Sequence, residues 1–247
     1  MGVSERKERE RELKKQTMLE AAEELILEKG LGQLNMDEVA EKAEVSKGSL
    51  YLYFHNKTDL VLGICNKATS MLHGEFNKVL SKEVSGFEMV YMIGATFIKF
   101  ANAHPEFYNA MKFFDSLSDS EAEHQCEHLD MCRENMNGAY TTMTRAIQIG
   151  MQDGSIKSEY DPKELAVLLM ATSHGLVDLA YKESHTPHFQ LMEKHGIRMS
   201  SLFRNYMKMI AKGISDKTDL KLTDPESIFE TEMNDWRKYQ PVKSEQN

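Results

Sequence analysis

Fourteen consecutive residues, Val45 to Thr58, contain no Asp or Glu, in a 247-residue chain with 39 acids. Lys47 and Lys57 bracket this window and give it a charge of +2. Its polar side chains, Ser46, Ser49, Tyr51, Tyr53, His55 and Asn56, are the hydroxyl, imidazole and amide groups that bond phosphate oxygens and base edges. Helices starting at Lys47 and Lys57 would aim backbone N–H groups and their partial positive charge at the same place. The chemistry on offer is non-covalent recognition of a polyanion.

Other groupings compete with this one. Glu121, His124, His128 and Cys132 fall at i, i+3, i+7 and i+11 along one helix face, and their types suit Zn or Cu. Eleven residues of helix span about 16 Å, so only His124 and His128 could share an ion, and no metal site is assigned. Cys65, Cys126 and Cys132 are too few for a disulfide framework, and Cys126 and Cys132 do not face each other well on a helix. The chain shows no nucleophile–base pairing, phosphate loop, HExxH or paired-carboxylate motif. No catalytic residue and no cofactor are therefore assigned, and an enzyme is not expected.

The elements that must position the acid-free window read as helices throughout. Met18, Leu19, Ala22, Leu25 and Ile26 form one apolar helix face, with Gly30 as its stop. A short helix is expected from about Met36 to Ala43, with Asn35 as N-cap and Glu38 completing a capping box. Glu44-Val45-Ser46 connects it to a second short helix, Lys47 to Phe54, capped by Ser46. Val39, Ala40, Leu50, Phe54 and Leu60 should face the core. Two helices this short need the preceding helix as a third wall, which is the helix-turn-helix arrangement. Long helices follow at about Lys57–Lys82, Ser85–Ala103, Pro105–Asp115, Ser120–Gln152, Asp161–Glu183 and His188–Lys212. His185 to His188 reads as a loop, and a last amphipathic helix is expected over Asp224–Tyr239.

The formal charge of −9 excludes a protein coated in positive charge and disfavours polybasic membrane binding. It leaves room for a local DNA-reading face, because charge acts over roughly a Debye length of 8–10 Å. The longest apolar run, Ala166 to Ala171, is far short of the roughly 20 residues that span a bilayer. Residues Met1 to Lys15 lack an apolar signal-peptide core. The expectation is a cytoplasmic protein with no membrane partner.

The run MDEVAEKAEVSKGSLYLYFHNKTDL, Met36 to Leu60, closely resembles the DNA-binding signature of the TetR family of bacterial transcriptional regulators. The preceding MLEAAEELILEKG, Met18 to Gly30, resembles that family's first helix and its glycine stop. The resemblance implies a dimer on a roughly palindromic operator, with Lys47–Phe54 as recognition helix. It implies that Lys47, Gly48, Ser49, Tyr51 and Tyr53 lie at the DNA, with His55 and Lys57 near its backbone. Without a Cβ, Gly48 would allow close approach. One departure stands out: the family usually has Gly at the turn where this chain has Glu44, so a positive φ there would cost about 1 kcal/mol.

The implied architecture is all-α. A helix-turn-helix domain with a charged arm, 1–57, is joined by a long helix to a ligand-binding and dimerisation domain, 58–213, and an extension, 214–247. By the same resemblance, Asp161–Glu183 and His188–Lys212 would form a four-helix interface between homodimer partners. Their apolar stripes are Leu165, Leu168, Leu169, Leu176 and Leu179, and Leu191, Ile197, Leu202, Met209 and Ile210. In a family that senses small molecules, Phe97, Phe100, Phe107, Met111, Met136, Tyr140, Met143 and His174 are candidate ligand-binding residues. Such residues also make up any helical core. The expected function is a ligand-responsive regulator, a repressor released by a small, largely apolar inducer. The alternative is a helical small-molecule-binding protein or enzyme with no DNA function.

Overall fold

The computed structural model describes residues 3–117, 127–181 and 187–216. Every regular element among them is helical. In chain order they are α1 (Val3–Lys29), a single 3-10 turn (Leu31–Gln33), α2 (Met36–Lys42), α3 (Lys47–Tyr53), α4 (Lys57–Leu80) and α5 (Gly86–Ala103). There follow α6 (Pro105–Asp115), α7 (Glu127–Gln152), α8 (Pro162–Tyr181), α9 (Pro187–Lys194) and α10 (Met199–Ile214). Glu121, His124, Cys126, His185 and the expected helix Asp224–Tyr239 lie outside the described residues.

The chain divides into two compact units. The first holds the residues up to Ser70 and the described part of His104–Asn135. Its core is built on the predicted stripe: Met18, Leu19, Ala22, Leu25 and Ile26 are all buried, and α1 packs against α2 and α6. Val39, Ala40, Leu50, Phe54 and Leu60 are buried as the spacing requires. Within this unit α4 and α7 meet along a polar seam. Asn135 donates to Asn66 Oδ1 at 2.9 Å, and the Cys132 thiol donates to the Leu62 carbonyl at 3.4 Å.

The second unit contains Met71–Ala103 and the described residues after Asn135. Helix α8 packs against α5, α9 and α10. Ser85 and Glu88 form a reciprocal capping box at the start of α5. The turn after α7 supplies two more caps, Asp153 accepting from Gly86 N at 2.8 Å and Ser155 from Phe87 N at 3.1 Å. Asn77 accepts a bond from the Thr142 hydroxyl at 2.9 Å.

One expected helix is two. The apolar spacing from His188 to Lys212 continues without a break, yet the chain turns between α9 and α10. Gly196 sits at φ 62, and Ile197 N donates back to Met192 O at 2.8 Å. This is a Schellman stop, and the left-handed conformation it needs costs glycine nothing. Pro187 and His188, read as loop, belong to the first turn of α9.

Candidate nucleic-acid interface

Each short helix of the reading head has its own start and stop. Asn35 caps α2 by accepting from Asp37 N at 2.9 Å. Glu38 does not close the expected box; its carboxylate pairs with Lys29 instead. At the other end, Glu44 N donates to Glu41 O at 3.0 Å and Val45 N to Ala40 O at 2.9 Å. Those two bonds make a Schellman motif with Glu44 at its left-handed position, at φ 53. Ser46 then caps α3, accepting from Ser49 N at 3.1 Å. Asn56 caps α4 by accepting from Asp59 N at 2.8 Å.

These caps hold α3 with one side inward. Leu50 is fully buried, and so is Phe54, which ends the helix. Lys47, Gly48 and Tyr51 are exposed, and Ser49 and Tyr53 are half-buried. A Cβ on Gly48 would meet nothing within 4 Å, so the face is open there. Lys47 Nζ lies 2.7 Å from Asp37 Oδ2. Lys57 Nζ donates to the Gly32 carbonyl at 3.1 Å, which ties the start of α4 to the 3-10 turn after α1. His55 points its ring into solvent at 86% exposure while Asp59 Oδ2 accepts from its backbone N at 2.9 Å and its Nδ1 at 3.0 Å. The seven residues read as DNA-facing thus fall on or beside one short helix, in the acid-free window.

Three residues of this region escaped sequence reasoning. Leu52 is 81% exposed, an apolar side chain on the open face, at i+4 from Gly48. That spacing was the available signal. Gly63 lies under Phe54; a Cβ there would be 2.8 Å from Phe54 Cε1 and 3.1 Å from Leu19 Cδ2. Asp59 is buried, and its Oδ1 accepts from His128 Nδ1 at 2.7 Å. No local pattern marks a partner 69 residues away.

The residues read as ligand-facing are spread over both units. Phe107 and Met111 are buried in the first, on α6. Phe97, Phe100, Met136, Tyr140, Met143 and His174 belong to the second. There Phe97 and His174 come together, ring centroids 4.4 Å apart, and the Tyr140 hydroxyl donates to the Lys163 carbonyl at 3.3 Å. In the first unit Lys67 bonds both oxygens of Glu23, at 2.8 and 2.9 Å, and sits 5.3 Å from the centroid of the Phe107 ring. Burial raises the Glu23 carboxyl above its ordinary 4.5 in spite of Lys67, and burial raises Glu106 likewise. Of the residues whose types suit a metal, His128 bonds Asp59 and Cys132 bonds the Leu62 carbonyl. The Cys65 thiol is pushed up in pKa by its bond with Cys132 and by burial, which keeps it protonated.

Residues 18–64 match the family model described as bacterial regulatory proteins, tetR family. The chain is 22% identical over 200 residues to the HTH-type transcriptional regulator QacR of Staphylococcus aureus, covering 77% of this chain and 96% of that one. It is 27% identical over 113 residues to an HTH-type transcriptional regulator of Haemophilus influenzae, and the match spans only 59% of that protein's length. Among solved structures it resembles FadR from Bacillus subtilis, in complex with stearoyl-CoA, at a TM-score of 0.61 and 18% identity, covering 81% and 98% of the two chains. It also resembles the ketosteroid regulator KstR2 of Mycobacterium tuberculosis at a TM-score of 0.59 and 14% identity, covering 82% and 95%. Residues 18–64 thus carry the helix-turn-helix of the TetR family of bacterial transcriptional regulators, and the helical fold that follows is like that of the regulators FadR and KstR2.

Proposed function

We propose that this regulator is a cytoplasmic repressor that binds a palindromic operator as a homodimer and is released by a small, largely apolar inducer. In this reading residues 1–57 read DNA, and 58–213 hold the inducer and the partner subunit. The observation that carries it is the open face of α3. Lys47, Gly48 and Tyr51 stand in solvent there, on a helix anchored by Leu50 and Phe54, with no acid from Val45 to Thr58. Val167, Leu168, Leu191 and Met209, large apolar side chains exposed on α8, α9 and α10, support a two-fold dimer, whose symmetry would match the dyad of the proposed operator. FadR, similar in fold, was crystallised with stearoyl-CoA, which supports an inducer with a long apolar part.

The test is selection of duplexes from a random pool by the full chain. The recovered sequences should share half-sites about one helical turn, 34–36 Å, apart, and affinity should fall steeply with salt. Replacing Tyr51 and Lys57 by Ala should release the duplex. No enriched sequence, or binding indifferent to salt, would favour a helical small-molecule-binding protein without DNA function.

A further inference from the structure

The first turn of α4 holds a buried carboxylate with more partners than a cap needs. Asp59 accepts from His55 N and His55 Nδ1 through one oxygen and from His128 Nδ1 through the other. A carboxylate only accepts, so Nδ1 of each imidazole carries the proton. His128 makes a second contact on the same end of the recognition helix: its ring stacks on Phe54, centroids 5.5 Å apart. Phe54 is the residue that ends α3, and His55 is the next in the chain. One side chain of α7 therefore grips both the last core residue of α3 and the carboxylate that bonds the residue after it.

We infer that His128 is a positioning residue for DNA recognition, acting through Asp59 and Phe54 to fix the end of the recognition helix to α7. The next bonds along the seam are of the same kind: Cys132 to the Leu62 carbonyl, then Asn135 to Asn66. Polar seams fix register, because sliding the helices breaks paired bonds rather than exchanging one apolar contact for another. A shift of α7 along α4 is thus felt at His55 and Phe54. A buried carboxylate does not give up a partner without replacement, so the hydrogen bond, not the stacked ring, is the stronger part of the grip. This inference rests on the DNA-binding reading above and names how that site is held.

The test uses the full chain, a duplex recovered by the wild-type protein from a random pool, and a scrambled duplex of equal length. His128→Asn keeps a donor near the place of Nδ1 and loses the ring; His128→Phe keeps the ring and loses the donor. Affinity is read by fluorescence anisotropy and folding by thermal unfolding. His128→Asn should bind the recovered duplex within about threefold of wild type, and His128→Phe at least about tenfold more weakly, the value of one charge-assisted bond. Binding of the scrambled duplex should be unchanged, since a structural defect would lower both. Wild-type affinity in a folded His128→Phe overturns the inference and leaves the DNA-binding reading standing. If His128→Phe does not fold, His128→Asn decides: a tenfold loss at a wild-type melting temperature overturns it. If the wild-type chain recovers no duplex, both readings fall together.

Discussion

Glu44 offers a measurable separation of backbone strain from charge. It is the one non-glycine residue at positive φ among the described residues, at 53°. The conformation is imposed, because Glu44 N and Val45 N are both committed to carbonyls of α2. A side chain in the left-handed region costs about 1–2 kcal/mol. Glycine removes that cost, but its freer unfolded chain takes back about 0.4–1 kcal/mol. The net gain for Glu44→Gly is about 0.5–1 kcal/mol. For a chain of this size it should raise the melting temperature by about 1–4 °C. Glu44 is exposed, so no burial is lost. Glu44→Ala keeps the strain and removes the same carboxylate. Calorimetry should find the glycine variant stabilised and the alanine variant within about 0.5 kcal/mol of wild type. DNA affinity should respond differently: both variants lose one negative charge beside the acid-free window, so both should tighten by the same factor at low salt. Equal stabilisation by Ala and Gly would refute the strain argument, because it would assign the effect to the carboxylate. Tighter binding by Gly alone would refute the electrostatic half.

Gly63→Ala should destabilise by about 1–3 kcal/mol, the cost of overpacking, because its Cβ would lie 2.8 Å from the Phe54 ring; a melting temperature unchanged from wild type refutes the close approach. Burial holds the Glu106 carboxyl above its ordinary 4.5, so the folded chain keeps a proton that the unfolded chain releases. That contribution to stability is complete below about pH 4.5 and is lost as pH rises through the folded value. Glu106→Gln, which mimics the protonated form, should flatten the decline in melting temperature above about pH 4.5; an unchanged slope refutes the assignment.

What the sequence made legible was what is local. Asn35 and Ser46 act as caps because cap chemistry reaches only two or three residues. The stripe from Met18 to Ile26 is buried because helical spacing decides which side faces inward. The left-handed turn at Glu44 was legible as a departure from a signature. The break at Gly196 was not, since apolar spacing runs through it and a lone glycine is tolerated inside helices. Asp59 with His128, and Gly63 with Phe54, are contacts that the chain's path creates. Periodicity says that α4 and α7 each have an inner side, not which residues meet along it. For the same reason Phe97, Phe100, Phe107, Met111 and Met143 could be recognised as interior but not sorted by unit, while Met136, Tyr140 and His174 are only half-buried. Phe107 and Met111 went to one unit and Phe97 and His174 to the other.

The charge pattern gains a sharper physical meaning from the partners of its two lysines. The window from Val45 to Thr58 carries +2, but neither lysine projects as an unattached charge: Lys47 is paired with Asp37, and Lys57 bonds the Gly32 carbonyl. An exposed pair like Lys47–Asp37 is worth about 0–1 kcal/mol, so phosphate can replace Asp37 as partner at little cost. The pair holds the ammonium near the start of α3 before any DNA arrives. The exchange leaves Asp37 without its cation, which subtracts from the gain at that phosphate. Attraction by the window is therefore modest, and the remaining charge on a chain of −9 opposes approach from other directions. On the proposed DNA-binding reading, affinity then comes from fit on the open face of α3: the open backbone at Gly48, the Tyr51 hydroxyl and the apolar tip of Leu52. A head that works this way would give up non-specific affinity and keep discrimination between sequences, so the geometry that aims α3 would matter more to it than added positive charge.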